Sequence, residues 1–446
     1  MTTVHVVGAG MAGLAAAVSL ASDGASDGRR VILYEAAGQA GGRCRSLRDP
    51  VLDRTIDNGN HLLLGGNRAV FALLDRIGAR DRLVAAADPA EFPFLDLGTG
   101  ERWALRPNGG PLPWWMLVPG RRVPGTRLRD YLALLKLLRA GPDATVADCL
   151  DTESVLYRRL WEPLAVAALN IAPDRGSARL MGAVVAETFL RGGAACRPFV
   201  AARGLSDTFV DPALAHLASR GGDLRLKARL RRLVTEDGRV AALEFAGETV
   251  ELRAGDAVVL ALPPAGAAEL LPGLAVPEEH TAILNAHYRL DRPAVLPGGR
   301  IFLGLIGGTA EWLFARDDVV SVTVSAADRL IDRPADDLAA LLWRDVASAC
   351  GLGPAMPPAR IIKEKRATFR QTPADSERRP GPVTDLSNLS LAGDWTATGL
   401  PATIEGAIRS GNKAAAAVLD SGSVERPART AMQASQRRPL DISQRA

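Results

Sequence analysis

Apolar positions follow different periods in different parts of this chain. Three short runs, Val4–Val7, Val31–Glu35 and Ala257–Leu262, are rich in β-branched residues and lack alternation, the pattern of parallel strands covered on both faces. The first run passes through a glycine turn, Gly8–Gly13, into a helix predicted over Met11–Ser22. Strand, turn, helix and second strand make one βαβ unit, so a doubly wound parallel sheet is predicted. Apolar residues at Val70, Leu73, Leu74 and Ile77 predict a further helix over Asn67–Ile77.

From Phe92 to Gly204 the pattern changes. Prolines and tryptophans collect in Pro111-Leu112-Pro113-Trp114-Trp115, and leucine-rich helical segments follow. Within them Thr126–Ala140 reads as a basic amphipathic helix, with Leu128, Tyr131, Leu132, Leu135 and Leu138 on one face. Leu224–Val234, Arg239–Phe245 and Thr249–Leu252 read as β segments, and the run from Ala257 is stopped by Pro263 and Pro264. Ile301–Ile306 and Val319–Val324 read as strands around a helix at Pro334–Cys350. Leu389–Ala392 is the last predicted strand and Ala402–Leu419 the last helix.

The predicted fold class is therefore α/β: a Rossmann-type dinucleotide-binding domain in three parts, with an inserted, mainly helical lobe and a mixed β-sheet substrate domain. The expected boundaries are 1–91, 205–270 and 373–420 for the nucleotide domain, 92–204 for the lobe, 271–372 for the second sheet and 421–446 for a polar tail.

Composition narrows the function. The 446 residues carry a net charge of only +4 and no lysine-rich arm, which argues against nucleic acid as a partner. Four cysteines are scattered without a CxxC pair, so neither a metal site nor a redox pair is expected, and a reducing compartment fits. There is no uninterrupted apolar stretch of about twenty residues for a membrane span. The first strand begins too early to leave room for a signal peptide, so a cytoplasmic location is expected, with peripheral contact on the inner face of the plasma membrane.

Gly8-Ala9-Gly10-Met11-Ala12-Gly13 follows a strand and opens a helix, the context a phosphate-binding turn requires. Glu35, followed by Ala36, ends the second strand where a carboxylate accepts ribose hydroxyls and repels a 2′-phosphate. Gly41-Gly42-Arg43 adds a pyrophosphate clamp. Asp57-Asn58-Gly59-Asn60-His61 follows, and near the far end stand Gly393-Asp394 and Ala402-Thr403-Ile404, with Thr403 placed to cap the last helix.

This series resembles the flavin amine oxidase and phytoene desaturase superfamily, and the resemblance runs to about residue 419. It implies non-covalent FAD, since no cysteine lies near Gly393. It also implies that Gly41, Gly42 and Arg43 lie along the pyrophosphate and ring, and that Gly59, Asn60 and His61 pass the isoalloxazine. Leu230 would meet adenine, and Asp394 the ribityl chain. The segments Leu160-Trp161-Glu162-Pro163 to Asn170, Arg197-Pro198-Phe199 and Ala392 to Gly406 resemble most closely the hydroxysqualene dehydroxylases of hopanoid biosynthesis. That branch implies reduction of hydroxysqualene to squalene by reduced FAD, with NADPH or a reductase as the electron donor.

Such a reaction needs a proton for the leaving allylic hydroxyl and exclusion of bulk water. His61 is the first candidate acid and His287 the second, with Lys363 and Lys365 behind them; a purely structural histidine is the competing reading at each. A long isoprenoid also needs an apolar path, for which Trp114, Trp115, Trp161, Leu132 and Leu135 are the candidates, some of them at a membrane surface. An ordinary buried helix is the alternative for the last two. Carotenoid desaturation, amine oxidation and flavin-free prenyl carriage remain competing functions.

Overall fold

The computed structural model describes residues 2–23, 29–110 and 112–421; apart from Ser421, the expected polar tail lies outside these residues. The predicted parallel sheet is present, with five strands in the order Asp223–Arg225, Arg30–Tyr34, Thr3–Val7, Ala257–Leu260 and Leu389–Leu391. Residues from three distant stretches thus build one sheet. The short segment at 223–225 adds its edge, while the rest of the predicted 224–252 region forms a separate antiparallel sheet of Leu230–Glu236, Arg239–Phe245 and Thr249–Glu251.

Small residues bring the two ends of the chain together. The helices Met11–Asp23 and Ile404–Ser421 pack along their length. A side chain at Gly411 would place Cβ 2.1 Å from the carbonyl oxygen of Ala12, an approach only glycine permits. Ser19 Oγ completes the contact by donating to Asn412 Oδ1 at 3.0 Å.

The second sheet has seven strands in the order Ala359–Phe369, His280–Arg289, Val319–Val324, Trp312–Arg316, Phe302–Ile306, Phe92–Asp96 and Arg102–Leu105. Two of them lie in 92–105, so the boundary expected at residue 92 is corrected: this stretch completes the sheet, and the helical lobe begins after it. One face, with Leu284, Ala286, Val320 and Val322, packs on the helix Ala335–Cys350. Strand register divides the other face into two halves. Glu364, Ile283, Asn285, His287, Ser321 and Thr323 share its polar half. Trp312, Phe314, Phe302, Gly304 and Phe94 form its apolar half, which joins the lobe's core.

Two further expectations for the lobe change. The predicted helix at 126–140 is a 3₁₀ segment, Leu128–Ala133, followed by one short helix, Leu134–Leu138. The Tyr131 hydroxyl accepts from the backbone N–H of Val123 at 3.1 Å, drawing Tyr131 inward with Leu134 and Leu137 and turning Leu128, Leu132 and Leu135 outward. Trp115 and Trp161 are also inside, 2% and 3% exposed. Trp115 packs edge-on against Tyr131 and Trp161 against Phe189, so neither tryptophan offers a surface to substrate or membrane.

Candidate active site

The glycine turn separates packing from ligand binding residue by residue. Gly8 has φ +107°, and a Cβ there would lie 2.4 Å from the Ala261 carbonyl oxygen; one at Gly13 would lie 1.8 Å from that of Gly8. Both glycines are required by the protein's own backbone. A Cβ at Gly10 would meet nothing within 4 Å. The space before Gly10, at the N-terminus of the Met11–Asp23 helix, suits a diphosphate approaching free N–H groups and the positive end of the helix dipole.

Neighbouring groups fit the rest of a dinucleotide. Gly41 donates its N–H to the Ala9 carbonyl at 2.8 Å, laying the second glycine pair beside the first. Glu35 accepts N–H bonds from Ala9 at 3.0 Å and Ala37 at 2.8 Å. Those bonds fix its carboxylate and leave lone pairs for ribose hydroxyls. Exposed Ala36 lies between, and Ala228 donates its N–H to the Glu35 carbonyl, bringing the segment before Leu230 to this end of the sheet. Leu230 itself is packed with Tyr34 and Phe245.

The far end of the chain closes the site. Arg43 Nη2 donates to Asp394 Oδ1 at 2.7 Å, yet 44% of the Arg43 side chain stays accessible. Asp394 raises the Arg43 pKa, against desolvation. An arginine held by Asp394 yet still accessible suits a pyrophosphate clamp. Gly393 donates its N–H to Ser410 Oγ at 2.9 Å, and Thr403 Oγ1 accepts from the Gly406 N–H at 3.1 Å, capping the last helix as predicted. Ile404 is buried behind it, while Ala402 donates its N–H to Gln371 Oε1 at 2.8 Å.

Two polar residues that sequence reasoning missed hold this end in place. Buried Arg379 donates to the carbonyls of Thr396, Leu400 and Asp394 and to Thr398 Oγ1. Burial lowers its pKa to about 10. Gln371, fully buried, also donates to the Leu169 carbonyl at 2.6 Å, linking the last helix to the lobe.

The loop 58–61 meets the polar half of the seven-stranded sheet. Asn60 Nδ2 donates to Thr323 Oγ1 at 3.0 Å, Thr323 to Asn285 Oδ1 at 2.8 Å, and Asn285 Nδ2 to the Asn58 carbonyl at 3.3 Å. These bonds straddle Gly59, where a Cβ would stand 3.3 Å from Asn285 Nδ2. The close approach anticipated at Gly59 is therefore first of all to Asn285.

His61 follows this clamp. It is half-buried and hydrogen-bonds nothing among the described residues. Burial lowers its pKa, Arg43 lowers it further and Asp57 opposes them, so the imidazole is neutral at pH 7. His287 is different: 1% exposed, with Nδ1 2.7 Å from Ser321 Oγ and the Asp57 backbone beside the ring. That burial removes His287 from the candidate acids. Lys363 and Lys365 are removed too, because Lys363 donates to the Arg333 carbonyl and Lys365 pairs with Asp332 at 2.8 Å, both on the protein's exterior. Glu311 had no signal in the sequence. Its carboxylate accepts the Ser325 N–H at 2.7 Å, and burial pushes its pKa up to about 7.

Comparison with known proteins agrees with this architecture. Residues 11–419 match the model of the flavin containing amine oxidoreductases. The hydroxysqualene dehydroxylases of Sinorhizobium fredii and Rhodopseudomonas palustris are each 50% identical to this chain. The alignments cover 92% and 94% of it, and 97% and 99% of those proteins. The solved structure of cyclohexylamine oxidase from Brevibacterium oxydans superposes with a TM-score of 0.67 at 18% identity, over 95% of this chain and all of that one. The chain belongs to the flavin containing amine oxidoreductase family, and its cofactor is FAD.

Proposed function

We propose that this chain reduces hydroxysqualene to squalene as an FAD-dependent dehydroxylase. One juxtaposition supports it. An unpartnered imidazole, His61, stands beside Arg43 at the seam between the polar and apolar halves of the sheet face. Half-buried Leu62, Leu64, Leu164, Ala168, Ile306 and Phe314 lie at the margin of the lobe's core just beyond it. A reacting alcohol fits the first environment and a long isoprenoid the second.

The substrate's C–O bond breaks and its oxygen leaves as water, which requires one proton. His61 supplies it: a lowered pKa makes the imidazolium scarce at neutral pH but a stronger acid toward a poor leaving group. The allylic cation left behind is delocalised over the double bond. When bound and reduced, FAD supplies the hydride equivalent that the carbon accepts. Arg43 and the N-terminus of the last helix stabilise negative charge on the cofactor side. The apolar margin keeps water from the cation. The electrons come from NADPH or a separate reductase.

Substrate reaches this site from a membrane surface. Leu112, Leu117 and Leu132 are 77%, 64% and 61% exposed, with Trp114, Leu128 and Leu135 also outside, amid Arg121, Arg127, Arg129, Lys136 and Arg139. Apolar side chains ringed by cations suit the interface of an anionic bilayer. Among the described residues no helix is long and apolar enough to cross a membrane, so the contact is peripheral. Incubating chemically reduced enzyme with hydroxysqualene in the absence of oxygen tests the reaction. Squalene is the expected product, and recovery of unchanged alcohol contradicts the assignment.

A further inference from the structure

A second cavity, of about 460 Å³, lies outside the FAD site, between the strands Phe92–Asp96 and Arg102–Leu105 and the turns at 119–124 and 297–300. Its wall carries four arginines, Arg102, Arg106, Arg122 and Arg300, against one carboxylate, Glu91. Glu91 is already engaged, by Arg106 at 2.9 Å and by both terminal nitrogens of Arg300 at 2.5 and 2.9 Å. Arg102 and Arg122 have no ion pair among the described residues. Two donors of this wall, Arg122 Nε and Trp103 Nε1, are fully buried without an acceptor. Arg102 and Arg122 are therefore the guanidinium groups of this wall left for an anion to pair with.

We infer that this cavity binds the phosphate of an anionic lipid headgroup. Planar guanidinium groups match phosphate oxygens in pairs. The position of the cavity selects lipid over a soluble anion. Its rim at Pro119, Gly120 and Arg122 continues directly from the exposed Trp114, Leu117 and Val118, and the Arg121 guanidinium lies 4.9 Å over the Trp114 ring. A headgroup in the cavity would hold the apolar patch against the bilayer. The inference rests on the membrane contact proposed above and adds a specific headgroup to it.

Flotation of the FAD-loaded protein with phosphatidylcholine vesicles tests it. One set contains phosphatidate; in the other, oleate supplies the same surface potential without the extra phosphate. The expected result is about tenfold tighter binding to phosphatidate. In the Arg102→Gln/Arg122→Gln variant the two vesicles should bind alike, with FAD content and turnover of detergent-dispersed substrate unchanged. Arg122→Lys, which keeps the charge but loses the planar guanidinium fork, should retain only part of the preference. Equal binding of the unaltered protein to both vesicles overturns the headgroup site while leaving the membrane contact standing. Survival of the preference in the double variant also overturns it. Loss of the preference with millimolar NADP⁺ or inorganic phosphate would assign the cavity to a soluble anion and overturn the lipid. Failure to bind any vesicle overturns both proposals.

Discussion

The parallel sheet and the seven-stranded sheet each supply half of the candidate site, in opposite ways. In the parallel sheet each proposed cofactor-binding position lies within a few residues of the strand that carries it: Gly10 after Thr3–Val7, Glu35 after Arg30–Tyr34, Asp394 after Leu389–Leu391. Backbone geometry does most of the work, through helix ends and residues without side chains. In the seven-stranded sheet nothing is local. Asn285, Thr323 and Glu364 come from three strands and converge on Asn58 and Asn60 through side-chain hydrogen bonds. Changes in the first half should therefore act on folding or FAD affinity, and changes in the second on catalysis.

The largest effect expected is at Gly13. Gly13→Ala places a methyl against the Gly8 backbone and should cost more than about 4 kcal/mol, read as loss of cooperative unfolding or of soluble protein. Gly10→Ala meets no protein atom and should leave the apoprotein's thermal midpoint unchanged, yet weaken FAD by about tenfold or more in a fluorescence titration. Similar behaviour of the two variants would remove the distinction between packing and ligand glycines.

Next comes Arg379. Arg379→Gln withdraws most of the donors serving the 394–400 loop and should cost about 3 kcal/mol in urea unfolding, with FAD affinity falling alongside. Unaltered FAD affinity would show that this loop does not depend on its buried arginine.

Acid sensitivity follows from His287. Burial lowers its pKa to about 4 from an ordinary 6.5. Folding therefore favours the neutral ring: the stabilisation is full above pH 6.5 and is lost as pH falls through about 4. The shift corresponds to about 3 kcal/mol. A His287→Leu variant should show a shallower loss of stability between pH 6.5 and 4 than the unaltered protein; parallel curves would contradict the burial.

The smallest stability effect belongs to the loop clamp. Asn285→Ala or Thr323→Val should cost only about 1 kcal/mol. Each should nonetheless lower kcat about tenfold without changing FAD affinity, because a loosened 58–61 loop misplaces His61. A fall in FAD affinity matched to the fall in kcat would instead place this clamp with the cofactor half.

The same contrast explains what the sequence disclosed. The βαβ unit, Glu35 and the Thr403 cap are set by neighbours a few residues away, so they were legible. Arg379 and Gln371 were not, because each is a common polar residue whose partners only the folded chain brings close. Phe92–Asp96 and Arg102–Leu105 passed for part of the lobe because prolines and tryptophans mask short strands. The leucine pattern at 126–140 was real, but the Tyr131 hydroxyl and its Val123 partner bent the segment and divided its leucines between core and surface. His287 is the second candidate acid by sequence, and only the folded chain shows it buried, with its ring on Ser321.

The central claim is that both halves meet at His61 to break one C–O bond. Stopped-flow mixing of fully reduced, oxygen-free enzyme with hydroxysqualene, followed by flavin absorbance and product analysis, tests it directly. One squalene per oxidised flavin is predicted, at a rate that falls as pH rises above the lowered His61 pKa. His61→Ala should slow flavin oxidation by about a hundredfold or more while FAD stays bound. An unchanged rate in that variant, or flavin oxidation without squalene, would contradict the account.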